Sequence, residues 1–215
     1  MPADDQRDVG FDDVTRAFHD LYCRGGVWKD TFWLGIPIIK CPLDLWVYQE
    51  IIADPQTRPD LIIETGTMLG GSAHFMAWIF DLVGAGRVIS IDNRDLEGRP
   101  RHPRIQYLTG SSTDEEIVER VRDSVEPGER VMVVLDSRHH RDHVIAELRA
   151  YAPLVTQGNY LIVEDTNVNS WRQEYEPGPL EAVREYLEED DSFAIDRSRE
   201  KFMMTFNPNG YLLKR

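Results

Sequence analysis

Leu61-Ile62-Ile63-Glu64 is a short apolar run that ends in an acid and enters a glycine-rich turn, Thr65-Gly66-Thr67-Met68-Leu69-Gly70-Gly71-Ser72. The turn feeds an apolar helical segment, Ala73 to Val83. A second apolar run, Val88-Ile89-Ser90-Ile91, then ends in Asp92. This is the layout of a nucleotide-type site at the mouth of a parallel sheet. Glycines let backbone approach a ligand, and a helix N-terminus offers free N–H groups to an anionic group. An acid closing the next strand can accept hydrogen bonds from ribose hydroxyls. From Gly66 the glycines read G-x-x-x-G-G, which is neither the G-x-G-x-x-G of dinucleotide sites nor a Walker loop with its lysine. A ligand carrying a ribose and a carboxylate, such as S-adenosylmethionine (SAM), suits the turn better than NAD or ATP. The competing reading is a βα turn whose glycines only relieve crowding.

From Leu61 onward strands and helices alternate. Strands are expected over Leu61–Glu64, Arg87–Asp92, Arg104–Thr109, Arg130–Asp136 and Asn159–Glu164, with helices over Ser72–Val83, Thr113–Val125 and Arg141–Tyr151. Continuous apolar strands interleaved with helices predict an α/β fold, a Rossmann-like doubly wound, mostly parallel sheet. The tail changes rhythm: a helix over Pro179–Glu189, then strand candidates Phe193–Asp196, Phe202–Phe206 and Tyr211-Leu212-Leu213, the last of them forming a closing antiparallel hairpin. Ahead of the core, Phe11, Val14, Phe18 and Leu21 recur at helical spacing up to Gly25-Gly26, and Pro42 opens a helix over Leu43–Ala53. The chain therefore divides into residues 1–58, a helical and aromatic segment packed on the core, and residues 59–215, the core, in one domain.

The net charge of −14 disfavours nucleic acid and anionic membrane surfaces as partners. Two cysteines, Cys23 and Cys41, cannot staple a chain of 215 residues, so a reducing cytoplasm is expected. The polar start, Met1-Pro2-Ala3-Asp4-Asp5, is unlike a signal peptide. A small-molecule acceptor is the expected partner, and a homo-oligomer stays open.

In open parallel sheets ligands sit beyond the carboxyl ends of the strands. Those ends here carry Glu64, Asp92, Asp136 and the pair Glu164-Asp165. Asp136, Glu164 and Asp165 become neighbours if the fourth and fifth strands pair. Three close carboxylates repel without a cation, and hard oxygen donors suit Mg²⁺. Otherwise Asp136 caps the next helix and Glu164-Asp165 lies in a solvated loop. The segment Asp136-Ser137-Arg138-His139-His140-Arg141-Asp142-His143 holds three of six histidines at the same edge. His139, in the turn, is the candidate general base, and His143, one turn into the helix, a structural residue. Ser111 and Ser112 follow the third strand, where a loop can reach an adenine; Thr113 reads equally well as an N-cap. Trp28, Phe32 and Trp33 either line an acceptor pocket or anchor the N-terminal segment. Asn167, Asn169 and Trp171 either contact substrate or form a polar surface loop.

With these residues in place, the chain resembles the cephalosporin hydroxylase-like family of SAM-dependent methyltransferases. The resemblance rests on Trp33-Leu34-Gly35-Ile36-Pro37 with Pro42-Leu43-Asp44, Glu64-Thr65-Gly66 with Gly70-Gly71-Ser72, and Val88–Asp92. It rests most on Leu135-Asp136-Ser137 through His143-Val144, Glu147-Leu148 with Tyr151-Ala152-Pro153-Leu154-Val155, and Gly158-Asn159-Tyr160-Leu161-Ile162-Val163-Glu164-Asp165. The core also resembles metal-dependent macrolide sugar O-methyltransferases, without their large N-terminal domain. The resemblance implies Mg²⁺ on Asp136, Glu164 and Asp165, and His139 as base. Together these readings predict a Mg²⁺-dependent O-methyltransferase acting on a hydroxyl of a small molecule in natural-product, antibiotic-type biosynthesis. SAM is held by Glu64, Thr65, Gly66, Gly70, Ser72, Asp92, Ser111, Ser112 and Asp136. The alternatives are a noncatalytic partner of a biosynthetic enzyme and an NAD-type oxidoreductase.

Overall fold

The computed structural model describes residues 9–215. The first five residues read above lie outside that range, as does the Phe11 side chain. Helix α1 (Val9–Gly25) leads through a 3₁₀ turn into a two-strand ribbon, β1 (Phe32–Trp33) and β2 (Ile36–Pro37). Leu34 (φ 49°) and Gly35 (φ 83°) turn that ribbon. Two consecutive left-handed residues match the right-handed twist of a two-residue hairpin. Pro42 then opens α2 (Pro42–Ala53).

The core follows as β3 (Leu61–Thr65), α3 (Gly71–Val83), β4 (Arg87–Asp92), β5 (Ile105–Thr109), α4 (Glu115–Asp123), β6 (Val131–Leu135), α5 (Arg141–Tyr151), β7 (Tyr160–Val163), α6 (Pro179–Glu189), β8 (Phe193–Ile195) and β9 (Tyr211–Lys214). The seven strands lie in the order β5-β4-β3-β6-β7-β9-β8. The first five run parallel; β9 is antiparallel to both β7 and β8. Alternate residues of the strands feed two cores. Ile63, Ile89 and Val133 pack toward α4, α5 and α6, while Ile62, Val88 and Met132 pack toward α2 and α3. The expected doubly wound sheet and its antiparallel close are therefore present. After β5 the chain returns across β3 to β6, so the strand order reverses between β3 and β6, where such sheets open a crevice.

Three local expectations need correction. Phe202–Phe206 is an irregular turn, not a strand. The buried Asp44 carboxylate accepts from Phe206 N (2.8 Å), Thr205 Oγ1 (2.5 Å) and Tyr211 OH (2.9 Å), so a side chain takes the place of a ladder. The fourth helix starts at Glu115 behind Asp114, and Thr113 stays in the preceding turn. Finally, the apolar stripe of α1 does not face the core: Val14, Phe18 and Leu21 are exposed, and His19, Tyr22 and Cys23 make the inward contacts. Among the described residues no helix is long and apolar enough to cross a membrane.

Candidate active site

The crevice is built around Gly66 and Asp136, which end β3 and begin the loop after β6. Gly66 takes φ 90°, and a Cβ there would meet the Asp136 carbonyl oxygen, so only glycine lets the two strand ends approach. The turn after Gly66 is held from the next strand. Asp92 accepts from Met68 N (2.7 Å) through Oδ2 and from Arg94 N (2.9 Å) through Oδ1. Gly70 caps α3 in a left-handed conformation. Two adjoining clefts open at this edge, of about 320 and 710 Å³, a size range typical of small-molecule sites. Gly66, Asp92, Arg94, Ser137, His139 and Tyr175 line both.

The larger cleft is also lined by Ile91, Asn93, Ser111 and Ser112. Ser112 Oγ is 3.2 Å from His143 Nε2, which lies 3.0 Å from Ser137 Oγ; Ser137 in turn donates to the buried Glu147 (2.7 Å). His143 thus ties the loop after β5 to the loop after β6, and it lines the larger cleft as well. Gly70 and Thr65 line neither cleft, and Thr65 Oγ1 accepts from Asp136 N at 3.3 Å. Glu64 also stands behind the turn, fully buried, accepting from Ser90 Oγ (2.5 Å) and Ser72 Oγ. Burial pushes its carboxyl up to about 7 against the pull of Lys40 and the two serines.

The smaller cleft holds the acids. One donor atom each from Asp136, His139 and Asp165 falls within 4.8 Å of the others. His139 Nε2 lies 3.3 Å from Asp165 Oδ2. Asp165 takes φ 55°, an uncommon conformation for a non-glycine residue that turns the chain sharply after β7. Two carboxylates and an imidazole at this separation form a donor set that fits a divalent cation. Asp136 does not cap the following helix, which starts at Arg141 behind His140. Nor is Glu164 solvated: it is buried, with Oε1 accepting from Tyr48 OH (2.5 Å) and Oε2 from Lys40 Nζ (2.5 Å). Lys40 Nζ also donates to Asp136 Oδ2 at 2.6 Å. Burial raises the pKa of all three carboxyls; Lys40 opposes the shift at Asp136 and Glu164, and His139 opposes it at Asp165.

Aromatic side chains close the remaining walls. Trp28 packs edge-on to Trp171 (5.9 Å between centroids), Arg172 lies over Tyr175 (4.7 Å), and Tyr175 stands edge-on to His139 (5.6 Å). Of the aromatic trio read from the sequence only Trp28 lines the cleft. Trp33 packs on Phe75 of α3 (4.9 Å), and Phe32 is exposed. Trp171 is a wall, whereas Asn167 and Asn169 turn toward Cys23 and Glu181. Lys40, Tyr48, Arg172 and Tyr175 were not singled out by sequence reading. The signal for Lys40 was a lone cation set between Ile38-Ile39 and Cys41-Pro42.

The family model described as Rhamnosyl O-methyltransferase/CmcI matches residues 25–215. The rhamnosyl O-methyltransferase of Mycobacterium tuberculosis H37Rv is 38% identical over 213 residues, covering 94% of this chain and 86% of that protein. Among solved structures, CmcI with Mg and SAM superposes with a TM-score of 0.65 at 21% identity, covering 87% of this chain and 77% of that one. MycE, a methyltransferase from the mycinamycin biosynthetic pathway in complex with Mg and SAH, superposes with a TM-score of 0.51 at 21% identity, over 66% of this chain and 38% of that one. Both structures share the fold.

Proposed function

The chain belongs to the Rhamnosyl O-methyltransferase/CmcI family and is a SAM-dependent O-methyltransferase, and we propose that it methylates a sugar hydroxyl on a natural-product scaffold with a Mg²⁺ ion at the acid cluster. The observation that supports the metal is the approach of the Asp136 and Asp165 carboxylates to within 4.8 Å of each other beside the donor turn, with His139 against them. A relative named as a rhamnosyl O-methyltransferase and a structural neighbour named as a methyltransferase of mycinamycin biosynthesis support the acceptor class.

In this reading the Gly66–Ser72 turn, Asp92, Ser111 and Ser112 hold the donor, with Glu64 bracing the turn from behind through Ser72 and Ser90. Asp136 and Asp165 would hold the cation, and Glu164, gripped by Tyr48 and Lys40, would complete the set. A bound divalent cation would supply positive charge that lowers the pKa of an acceptor hydroxyl. His139 takes the hydroxyl proton, and the Asp165 carboxylate, with Oδ2 3.3 Å from the ring's Nε2, stabilises the resulting imidazolium. As the hydroxyl oxygen bonds to the methyl carbon, the carbon–sulfur bond breaks and its electron pair returns to sulfur. Trp28, Trp171 and Tyr175 wall the acceptor side and fix its approach, and alignment of this kind accounts for much of the rate in a displacement.

The test is methyl transfer from SAM to rhamnosyl acceptors. Activity should vanish in EDTA and return with Mg²⁺, and calorimetry should show S-adenosylhomocysteine binding. Undiminished transfer in EDTA would remove the metal from the reading, and transfer confined to non-sugar hydroxyls would remove the acceptor class.

A further inference from the structure

Lys40 sits at an unusual place for a lysine. It is 4% exposed, and its ammonium donates to Asp136 Oδ2 at 2.6 Å and to Glu164 Oε2 at 2.5 Å. Backbone strain delivers it there. Ile39, immediately before it, takes φ 52°, a conformation that a β-branched residue adopts only when the surroundings impose it. Those surroundings are close. The Pro37–Ile38 backbone lies so tight on α3 that a Cβ on Gly71 would stand 2.2 Å from the Pro37 carbonyl oxygen.

We propose that Lys40 is a resident counter-cation of the acid cluster, competing with a divalent ion for Asp136 and thereby setting how tightly the site holds metal. The inference rests on the metal reading of this site given above. Three arguments carry it. First, the ammonium already occupies one oxygen of Asp136, so an ion bound through that carboxylate must share it with Lys40 or displace Lys40. Second, both Glu164 oxygens are engaged, one by Lys40 and one by Tyr48, so Lys40 fixes how much of that carboxylate remains for an ion. Third, the charges close: three carboxylates, one ammonium and one divalent cation sum to neutrality. Without the ammonium the cluster would carry one negative charge more than a divalent ion neutralises. A buried group of like charges holds a cation more firmly the less it is already compensated.

The experiment is Mg²⁺ titration of the full chain by calorimetry, with thermal unfolding in EDTA and in Mg²⁺, for wild type, Lys40→Met and Lys40→Arg. Lys40→Met should bind Mg²⁺ tighter by roughly tenfold or more, since a positive charge in contact with the site is gone. Its midpoint should drop in EDTA and recover with Mg²⁺ by more than the wild type's does. Lys40→Arg, which keeps the charge, should bind within a few-fold of wild type. If Lys40→Met is unfolded in EDTA, refolding as Mg²⁺ is added supports the proposal, and failure to refold at any Mg²⁺ concentration overturns it. Equal or weaker Mg²⁺ affinity in Lys40→Met, with wild type binding normally, overturns the role of Lys40 alone. Absence of Mg²⁺ and Mn²⁺ binding in every variant, wild type included, overturns the metal reading and this inference with it.

Discussion

A Cβ placed on Gly66 would stand 1.9 Å from the carbonyl oxygen of Asp136. The turn proposed to hold the donor and the residue proposed to hold the metal are therefore set by one backbone contact across the switch between β3 and β6. Gly66→Ala introduces both a left-handed alanine and this clash. It should destabilise the chain by about 3 kcal/mol or more and abolish transfer. Denaturant unfolding measures the first effect. A folded, fully active Gly66→Ala would show that the strand ends separate at little cost.

Glu64 makes stability depend on pH in a defined direction. Its folded pKa, about 7, lies above the ordinary 4.5, so between these values the folded chain holds a proton that the unfolded chain has released. Stability from this group is present below about pH 4.5 and is lost as pH rises toward 7, a difference on the order of 3 kcal/mol. Glu64→Gln, which keeps the shape and stays neutral, should flatten this part of the stability profile and be the more stable form above pH 7. Urea midpoints at half-unit pH intervals would read it; parallel profiles for the two proteins would count against the assignment.

His139 is close enough to Asp136 and Asp165 to be either a base or a ligand, and the two roles separate on substitution. As a base, His139→Ala should lower kcat by about 10²–10⁴ while Mg²⁺ affinity stays within a few-fold. A large loss of Mg²⁺ affinity in calorimetry would assign it to the metal instead.

Trp28 and Trp33 sit five residues apart and should behave differently. Trp28 lines the smaller cleft, proposed to take the acceptor, so Trp28→Ala should raise the acceptor KM and leave S-adenosylhomocysteine affinity nearly intact. Trp33 rests edge-on against Phe75, so Trp33→Ala should lower stability by about 1–3 kcal/mol and leave KM unchanged. Equal KM effects from both would mean that the ribbon and the cleft wall move together.

Periodicity made the sheet legible. Strands such as Val131–Leu135, buried on both faces, read as unbroken apolar runs, and their carboxyl ends pointed to Asp92, Asp136 and Glu164-Asp165 without any structure. What periodicity cannot convey is which side chain fills the space behind an acid. Lys40 and Tyr48 reach Glu164 from 124 and 116 residues away, and no local pattern encodes such a pairing. The same gap explains Glu64, which strand logic sends toward the ligand but Ser72 and Ser90 hold behind it. It also explains Phe202–Phe206, whose apolar ends suggest a strand until the buried Asp44 captures its backbone. On α1, regular spacing correctly indicated a helix but not its orientation, because Val14, Phe18 and Leu21 face outward.

The residues ahead of β3 lie across the start of α3, put Lys40 and Tyr48 against Glu164, and lend Trp28 to the cleft wall. The sheet is consequently not a transplantable cassette. A shortened chain beginning at Pro59 would keep the sequence of the seven strands and the three acids, yet it would lose the α2 face of the core, and its acid cluster would have neither its ammonium nor its phenol. Such a fragment would be a scaffold with an uncompensated anionic hole, prone to scavenge whatever cation is at hand. Engineering that seeks to swap acceptors in this fold must therefore carry the described segment ahead of β3 along with the core it completes.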